Sequence, residues 1–325
     1  MKSTLYYGNI RLITMMKWWC ILVCLLMLQT AAAQISYETF FVDHDSAWQF
    51  KNLKLIPIRA KGKGYTPHIP GNPEIISLQQ GLKTGLITIS ERGTASTENV
   101  HWLRVNNKTN KPVFIASGEI LIGGRQDRMV TKDTLLVPSG KDQYVSVMCV
   151  EEGRWTAKEK KFVYGKYANP RLRRVLDQTK NQVRIWKEIS NQLDSNKIIS
   201  PTLAYAAPHP DKQMAVYKEE YFNFFKEKFH NTDSTIVGFV CISGNKIIGA
   251  DAFSGIHLFY HSLDALLQGY IEEAIHFGNL PAVGDSQVRK YTDQFMTDEQ
   301  TQEQYLKKNG KLYRYLGKVF HLTAY

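Results

Sequence analysis

Cysteine is scarce: the 325 residues hold four, and two of these, Cys20 and Cys24, fall in the first apolar run. That leaves Cys149 and Cys241, each in a strand-like apolar stretch (Tyr144 to Val150; Ile236 to Ile242). There a thiol either serves as a small hydrophobe or, in an oxidising compartment, pairs. No Cys-x-x-Cys or His-Glu-x-x-His occurs, so the familiar zinc and dithiol spacings are excluded. Also missing are a nucleophile elbow, a phosphate-binding glycine loop and a dinucleotide fingerprint, since Gly62-Lys63-Gly64 lacks the third glycine. The chain has no internal repeat and no low-complexity tract. Past residue 33 no apolar run is long enough for the ~20 residues of a spanning helix.

The N-terminus, by contrast, carries a clear pattern. Lys17 precedes the apolar run Trp18 to Leu28, followed by Gln29-Thr30-Ala31-Ala32-Ala33-Gln34. A basic start, a short apolar core and an Ala-x-Ala exit predict a signal peptide over 1–33, cut after Ala33, and hence an exported, periplasmic or extracellular protein. Cys24 follows Ile21-Leu22-Val23 and lacks the small residue that precedes a lipid-bearing cysteine. Cleavage removes Lys2, Arg11 and Lys17 and no acid, so the formal charge of +11 falls to +8. The basic residues are scattered, the densest groups being Lys158-Glu159-Lys160-Lys161 and Arg171-Leu172-Arg173-Arg174. This describes a solvated surface rather than the continuous stripe of a nucleic-acid binder.

The mature segment 34–325 reads as a single α+β domain, β-rich over about 36–155 and helical with a few strands over about 168–325. Alternation predicts strands over Tyr37–Val42, Leu53–Ile58, Leu86–Ser90, His101–Val105, Val113–Ala116, Met129–Val137 and Gln143–Val150. A short helix is expected over Ile75–Lys83. Leu172, Val175, Leu176, Thr179, Val183, Trp186, Ile189 and Leu193 predict one long amphipathic helix. Further helices are expected over Tyr217–Phe229, Leu263–Ala274 and Thr297–Lys308. Strands Ile236–Ile242 and Lys246–Asp251 turn at Ser243-Gly244-Asn245, and a hairpin about Gly317 closes the chain.

Two clusters carry the candidate chemistry. In Ser117-Gly118-Glu119-Ile120-Leu121-Ile122-Gly123-Gly124-Arg125-Gln126-Asp127-Arg128, three glycines allow close backbone approach. Glu119 offers a carboxylate, while Gln126, Arg125 and Arg128 offer donors for an anion. In Cys149-Val150-Glu151-Glu152-Gly153-Arg154-Trp155, a carboxylate, a guanidinium and an indole gather at a strand end. Each cluster reads equally as a tight turn with a structural Glu–Arg pair. If the two converge, Glu119 and Glu151 would supply general acid and base, with Gln126, Arg128 and Arg154 as ligand-binding residues. Asp43-His44-Asp45 is a weaker metal candidate, and a turn explains it better. Asp251, His257 and His261 lie where a strand passes into a helix. Asn107-Lys108-Thr109 fits a glycosylation sequon.

These clusters also carry a resemblance. Gly81 to Glu91, Val105-Asn106 before Pro112 to Ile115, Gly118 to Arg128, Val145 to Trp155, Gln182 to Ile189 and Gly244 to Phe253 follow one another as the motifs of the ARG and rhodanese-phosphatase-superfamily-associated protein domain. Asp127 stands where the family's Gln-Asn-Arg pattern has Asn. The family's genomic neighbours, related to ADP-ribosylglycohydrolases and to rhodanese or phosphatase superfamilies, imply nucleotide or ADP-ribose metabolism by association. The leading expectation is a domain that binds or processes an anionic small molecule: nucleotide-like, ADP-ribose-like or a sugar phosphate. The alternative is a non-catalytic envelope module for protein or glycan, with the same residues forming a structural network. A cysteine hydrolase based on Cys149 is a third reading, for which no base stands nearby in sequence. The sequence implies no particular cofactor or metal.

Overall fold

The computed structural model describes residues 35–62, 74–91, 100–156, 159–230 and 235–325. The expected signal peptide, with Cys20 and Cys24, lies outside them, as does Lys158 of the basic cluster. Among the described residues the strands are β1 (Phe40–Val42), β2 (Trp48–Phe50), β3 (Leu53–Ala60), β4 (Ile76–Ser77), β5 (Ile87–Glu91), β6 (Trp102–Asn107), β7 (Val113–Ile115) and β8 (Glu119–Gly124). They continue with β9 (Arg128–Val130), β10 (Thr134–Leu136), β11 (Gln143–Cys149), β12 (Glu159–Tyr167), β13 (Ile236–Ser243), β14 (Lys246–Phe253), β15 (Gly310–Tyr315) and β16 (Lys318–Ala324). The helices are α1 (Leu78–Lys83), α2 (Pro170–Thr179), α3 (Gln182–Ser195), α4 (Gln213–His230), α5 (Ile256–Phe277), α6 (Asp285–Thr292) and α7 (Glu299–Asn309). The fold is mixed α+β, as the patterning predicts.

One sheet runs β1-β3-β13-β14-β16-β15, with β2 also on β3, and all its pairs are antiparallel. The first three strands therefore join strands from much later in the chain through the pairing of β3 with β13. Every residue of β13 is buried, as expected of a strand covered on both faces. One face packs Phe239 and Phe253 against Phe225 and Phe229 of α4 and Phe259 and Tyr270 of α5. The other packs Val237, Val240 and Leu322 against Val288 of α6, Phe295 and Leu306 of α7. A second sheet runs β12-β8-β9-β11-β6-β5, and a third, β10-β7-β4, lies over it through a shared core of Leu103, Val105, Val113, Leu121 and Val145. Helices α2 and α3 cover Ile120 and Met129 of the second sheet with Leu172, Leu176, Ile185 and Ile189.

Local chemistry sets the boundaries. Ser77 and Gln80 form a reciprocal capping box, so α1 starts at Leu78 and Ile76–Ser77 pair as a strand instead of extending the helix. The long helix expected from Leu172 to Leu193 is two helices. Lys180 takes a left-handed φ of 47°, and Asn181 accepts from Arg184 N–H to begin α3, which lets the apolar stripe bend around the sheet. The strand expected over Met129–Val137 is likewise broken at Thr131–Asp133. There Asp133 leaves the ladder to accept from Ser117 N–H at 2.7 Å. Strands β8 and β12 and helix α6 had no clear signal in the sequence.

Asp43-His44-Asp45 forms a one-turn 3-10 segment capped by Asp43, whose other oxygen takes Arg59 at 2.6 Å. Asn107 of the sequon is buried, donating to the carbonyls of Lys111 and Val137 at 2.9 Å each, so the triplet is turn architecture. Cys149 and Cys241 are free buried thiols in different sheets. Among the described residues no helix is long and apolar enough to cross a membrane.

Candidate functional site

The residues singled out in the sequence divide between two places. Strand β8 carries its glycines to a tip that meets the end of β11, and there Gln126, Asp127, Arg128, Glu151 and Arg154 come together. Gln126 donates to the carbonyls of Glu151 at 2.8 Å and Glu152 at 3.3 Å. Glu151 accepts from Asp127 N–H at 3.2 Å, from Thr202 at 2.7 Å and from Arg154 Nε at 2.8 Å. Arg154 spends its remaining donors on Asp127 at 3.1 Å and on the carbonyls of Gly123, Gly124 and Thr156. Burial would raise the Glu151 carboxyl, but Arg154 and Thr202 outweigh it and hold the group low. Arg128 is fully buried, donating to Gln126 at 3.0 Å and to Cys149 Sγ at 2.8 Å, with Glu91 at 3.7 Å. Burial pushes the Cys149 thiol up, the direction that favours an inert thiol over a nucleophile.

Around Arg154 the donors are spent within the tip, whereas Nε and Nη2 of buried Arg128 and Oε2 of Glu91 have no hydrogen-bond partner among the described residues. The departure at Asp127 has a use, because its carboxylate is the second anion on Arg154.

Glu119 does not join the tip. It stands at the opposite end of β8, about 16 Å away at ~3.3 Å per residue, so the expected Glu119–Glu151 acid–base pair is not formed. Glu119 is buried, accepts from Ala116 N–H at 3.0 Å and borders a small cavity with Ser77, Tyr167, Phe253 and His261. Burial raises its carboxyl to about 8, with Asp133 adding to the shift and Ala116 N–H opposing it. Glu119 is therefore a neutral acid at pH 7. The loop glycines make room for protein groups. Gly118 (φ 100°) makes room for the Arg173 side chain, whose Cδ would lie 2.7 Å from an added Cβ.

Arg173 belongs to a second ionic cluster that pattern reading missed. It reaches Asp251 of β14 at 3.1 Å, with Tyr167 and Tyr270 rings 4.7 and 5.0 Å from the guanidinium. Asp251 also accepts from Tyr270 at 2.7 Å, Thr323 at 2.5 Å and His321 Nε2 at 3.2 Å. The other face of the same imidazole, Nδ1, lies 2.6 Å from Asp133, which takes Lys311 of β15 at 2.8 Å. The chain Arg173–Asp251–His321–Asp133–Lys311 thus joins α2, three strands of the seven-stranded sheet and the turn between β9 and β10.

Burial opposes charge on every member, yet the partners prevail. Lys311 and His321 hold Asp133 low, Arg173 and His321 hold Asp251 low, and the two carboxylates raise His321 above its ordinary range. With a carboxylate at each nitrogen, the imidazole donates to both as a cation.

Lys311 ends this chain at the floor of a cleft of about 610 Å³, walled by Asp177 of α2, Leu306 and Lys307 of α7, Leu312 to Arg314 of β15 and the Thr131–Asp133 turn. Lys132, Lys180 and Lys307 also line it. Arg314 is spent on Glu299 and Glu303. Burial pushes the Asp177 carboxyl up, although Tyr325 donates to it at 2.8 Å. The cleft accordingly sets Lys132, Lys180, Lys307, Lys311 and Arg314 against Asp133, Glu303 and Asp177, the last a carboxyl that keeps its proton more readily than usual. No three His, Cys, Asp or Glu among the described residues are grouped as metal ligands.

With fold and site in view, residues 41–321 match the model of the ARG and Rhodanese-Phosphatase-superfamily-associated Protein domain. The chain belongs to that family. No curated protein and no solved structure matches it.

Proposed function

We propose that the protein binds an anionic small molecule in the cleft above Lys311. The class is a nucleotide-like, ADP-ribose-like or sugar-phosphate compound, in keeping with the family's association. The carrying observation is the Lys311 ammonium, anchored by a buried ion chain at the floor of a cleft lined by Lys132, Lys180 and Lys307. Anchoring removes the ordering cost that a free lysine meets when it binds a ligand, and the outer lysines steer anions inward. Self-satisfaction of the tip around Arg154 supports the structural role that the envelope-module reading gives those residues, and it moves ligand binding to the cleft. The same reading retains export with a cut after Ala33. It is supported by the sequence pattern alone: Lys17, the apolar run Trp18 to Leu28 and the Ala31-Ala32-Ala33 exit.

The test is thermal shift and calorimetric titration of the mature protein with ADP-ribose, glucose 6-phosphate, pyrophosphate and a neutral oligosaccharide. Anions are expected to raise the melting temperature and the neutral sugar to leave it unchanged. Replacing the outer lysines together, Lys180→Ala with Lys307→Ala, should weaken anion binding about tenfold and flatten its salt dependence, the loss of roughly 1.4 kcal/mol. Arg154→Ala should leave affinity unchanged. Anion binding that survives the double replacement but fails in Arg154→Ala would return the site to the tip.

A further inference from the structure

We propose that the groove between α4 and α5 is a second site, in which the Lys218 amine condenses with the carbonyl group of a small aldehyde or ketone. This groove, about 420 Å³, lies apart from the cleft and the proposal does not rest on it. Phe222 and Ile271 supply an apolar wall, and Lys166, Lys218, Gln268 and Glu272 supply the polar groups.

Its defining feature is two lysines on one carboxylate oxygen. Lys166 Nζ takes Glu272 Oε1 at 2.8 Å and stands 4.3 Å over the Tyr205 ring, while Lys218 Nζ is left 3.7 Å from the same oxygen. A single carboxylate cannot fully compensate two ammonium ions, and Lys218, the more distant, is the one left short. A lysine beside a second cation and partly withdrawn from water is the usual form of an amine nucleophile. Burial draws the Lys218 ammonium below the ordinary lysine range, with Lys166 adding to the effect and Glu272 opposing it. One turn along α5, burial lowers His276 to about 4, so this imidazole adds no further positive charge beside Lys218 at pH 7. Its buried Nδ1 has no partner among the described residues.

The step balances without an oxidant or reductant. Nitrogen attacks the carbonyl carbon, a C–N bond forms and the oxygen leaves as water. Of the ammonium's three protons, two depart in that water and one stays on the iminium nitrogen. The positive charge beside Glu272 is therefore conserved, so the carboxylate that holds the free lysine also holds the product. The apolar wall selects a carbonyl compound with a short hydrocarbon body.

The experiment is reductive trapping of the mature protein with propionaldehyde and cyanoborohydride at pH 7, with each lysine's rate read by peptide mass spectrometry. Lys218 is expected to label several-fold faster than exposed Lys108 and Lys141, because a larger share of it is free amine at pH 7. Lys166→Met should return Lys218 to the exposed-lysine rate, because Glu272 then serves it alone. Lys218→Arg should abolish the fast phase and leave the other sites unchanged. Labelling of Lys218 at or below the rate of Lys108 in the unmodified protein would overturn the proposal whether or not either variant folds.

Discussion

The two ionic clusters are built from the same residue types, yet one closes and the other opens. At the tip, Arg154 and Gln126 spend their donors on carbonyls and carboxylates within the strands they tie together. In the buried chain, five charged side chains from distant elements lead to Lys311, which is partly exposed at a cleft. Residue type does not separate the two clusters; whether the last member faces a cleft does.

The comparison is broken most directly at Asp251. Asp251→Ala leaves Arg173 buried without an anion and is expected to cost about 3–5 kcal/mol, read by urea denaturation. A loss under about 1 kcal/mol would mean that water already compensates the guanidinium. At the tip, Arg154→Ala leaves Glu151 and Asp127 facing each other and should cost about 3 kcal/mol, with anion affinity intact.

Glu119 sharpens the contrast through pH. Because its folded carboxyl titrates near 8 while the unfolded one titrates near 4.5, the folded state holds the extra proton in between. Stability on this account falls as pH rises from about 4.5 to 8 and is level above. Glu119→Gln keeps the neutral shape and should flatten that slope, making the variant more stable at pH 9 by on the order of 2 kcal/mol. An unchanged slope in melting temperature against pH would show Glu119 ionised in the folded protein. The smallest effect is reserved for the surface: Arg314→Ala, which breaks exposed pairs with Glu299 and Glu303, should cost under about 1 kcal/mol.

Local patterns in the sequence carry much of the fold. Apolar runs marked β3 and β13, aromatic spacing marked α4, and Gly317 marked the last hairpin. The break at Lys180 was harder to see because the apolar stripe continues through it, although Asn181 is a good N-cap. The site was less legible still. Asp133 and His321 are 188 residues apart, and nothing local announces their pairing. One signal was available: Lys311 pairs with Thr323 and Tyr313 with His321, so polar side chains recur at period two on a strand whose residues from Val319 to Ala324 are all buried. An Asp inside an otherwise apolar run, as at Asp251 between Ala250 and Ala252, is a second sign of the same kind. Glu119 and Glu151 were linked on the expectation that neighbouring motifs meet, but β8, read as a turn, is a strand that holds their ends apart.

Strand β16 has a consequence for how the chain is made. It lies between β14 and β15 in that sheet, and it also supplies His321 and Thr323. A nascent polypeptide halted before Lys318 can dock β1–β3 onto β13 and β14, yet it lacks the imidazole that joins Asp133 to Asp251. Completion of the cleft above Lys311 therefore waits on the synthesis of β16.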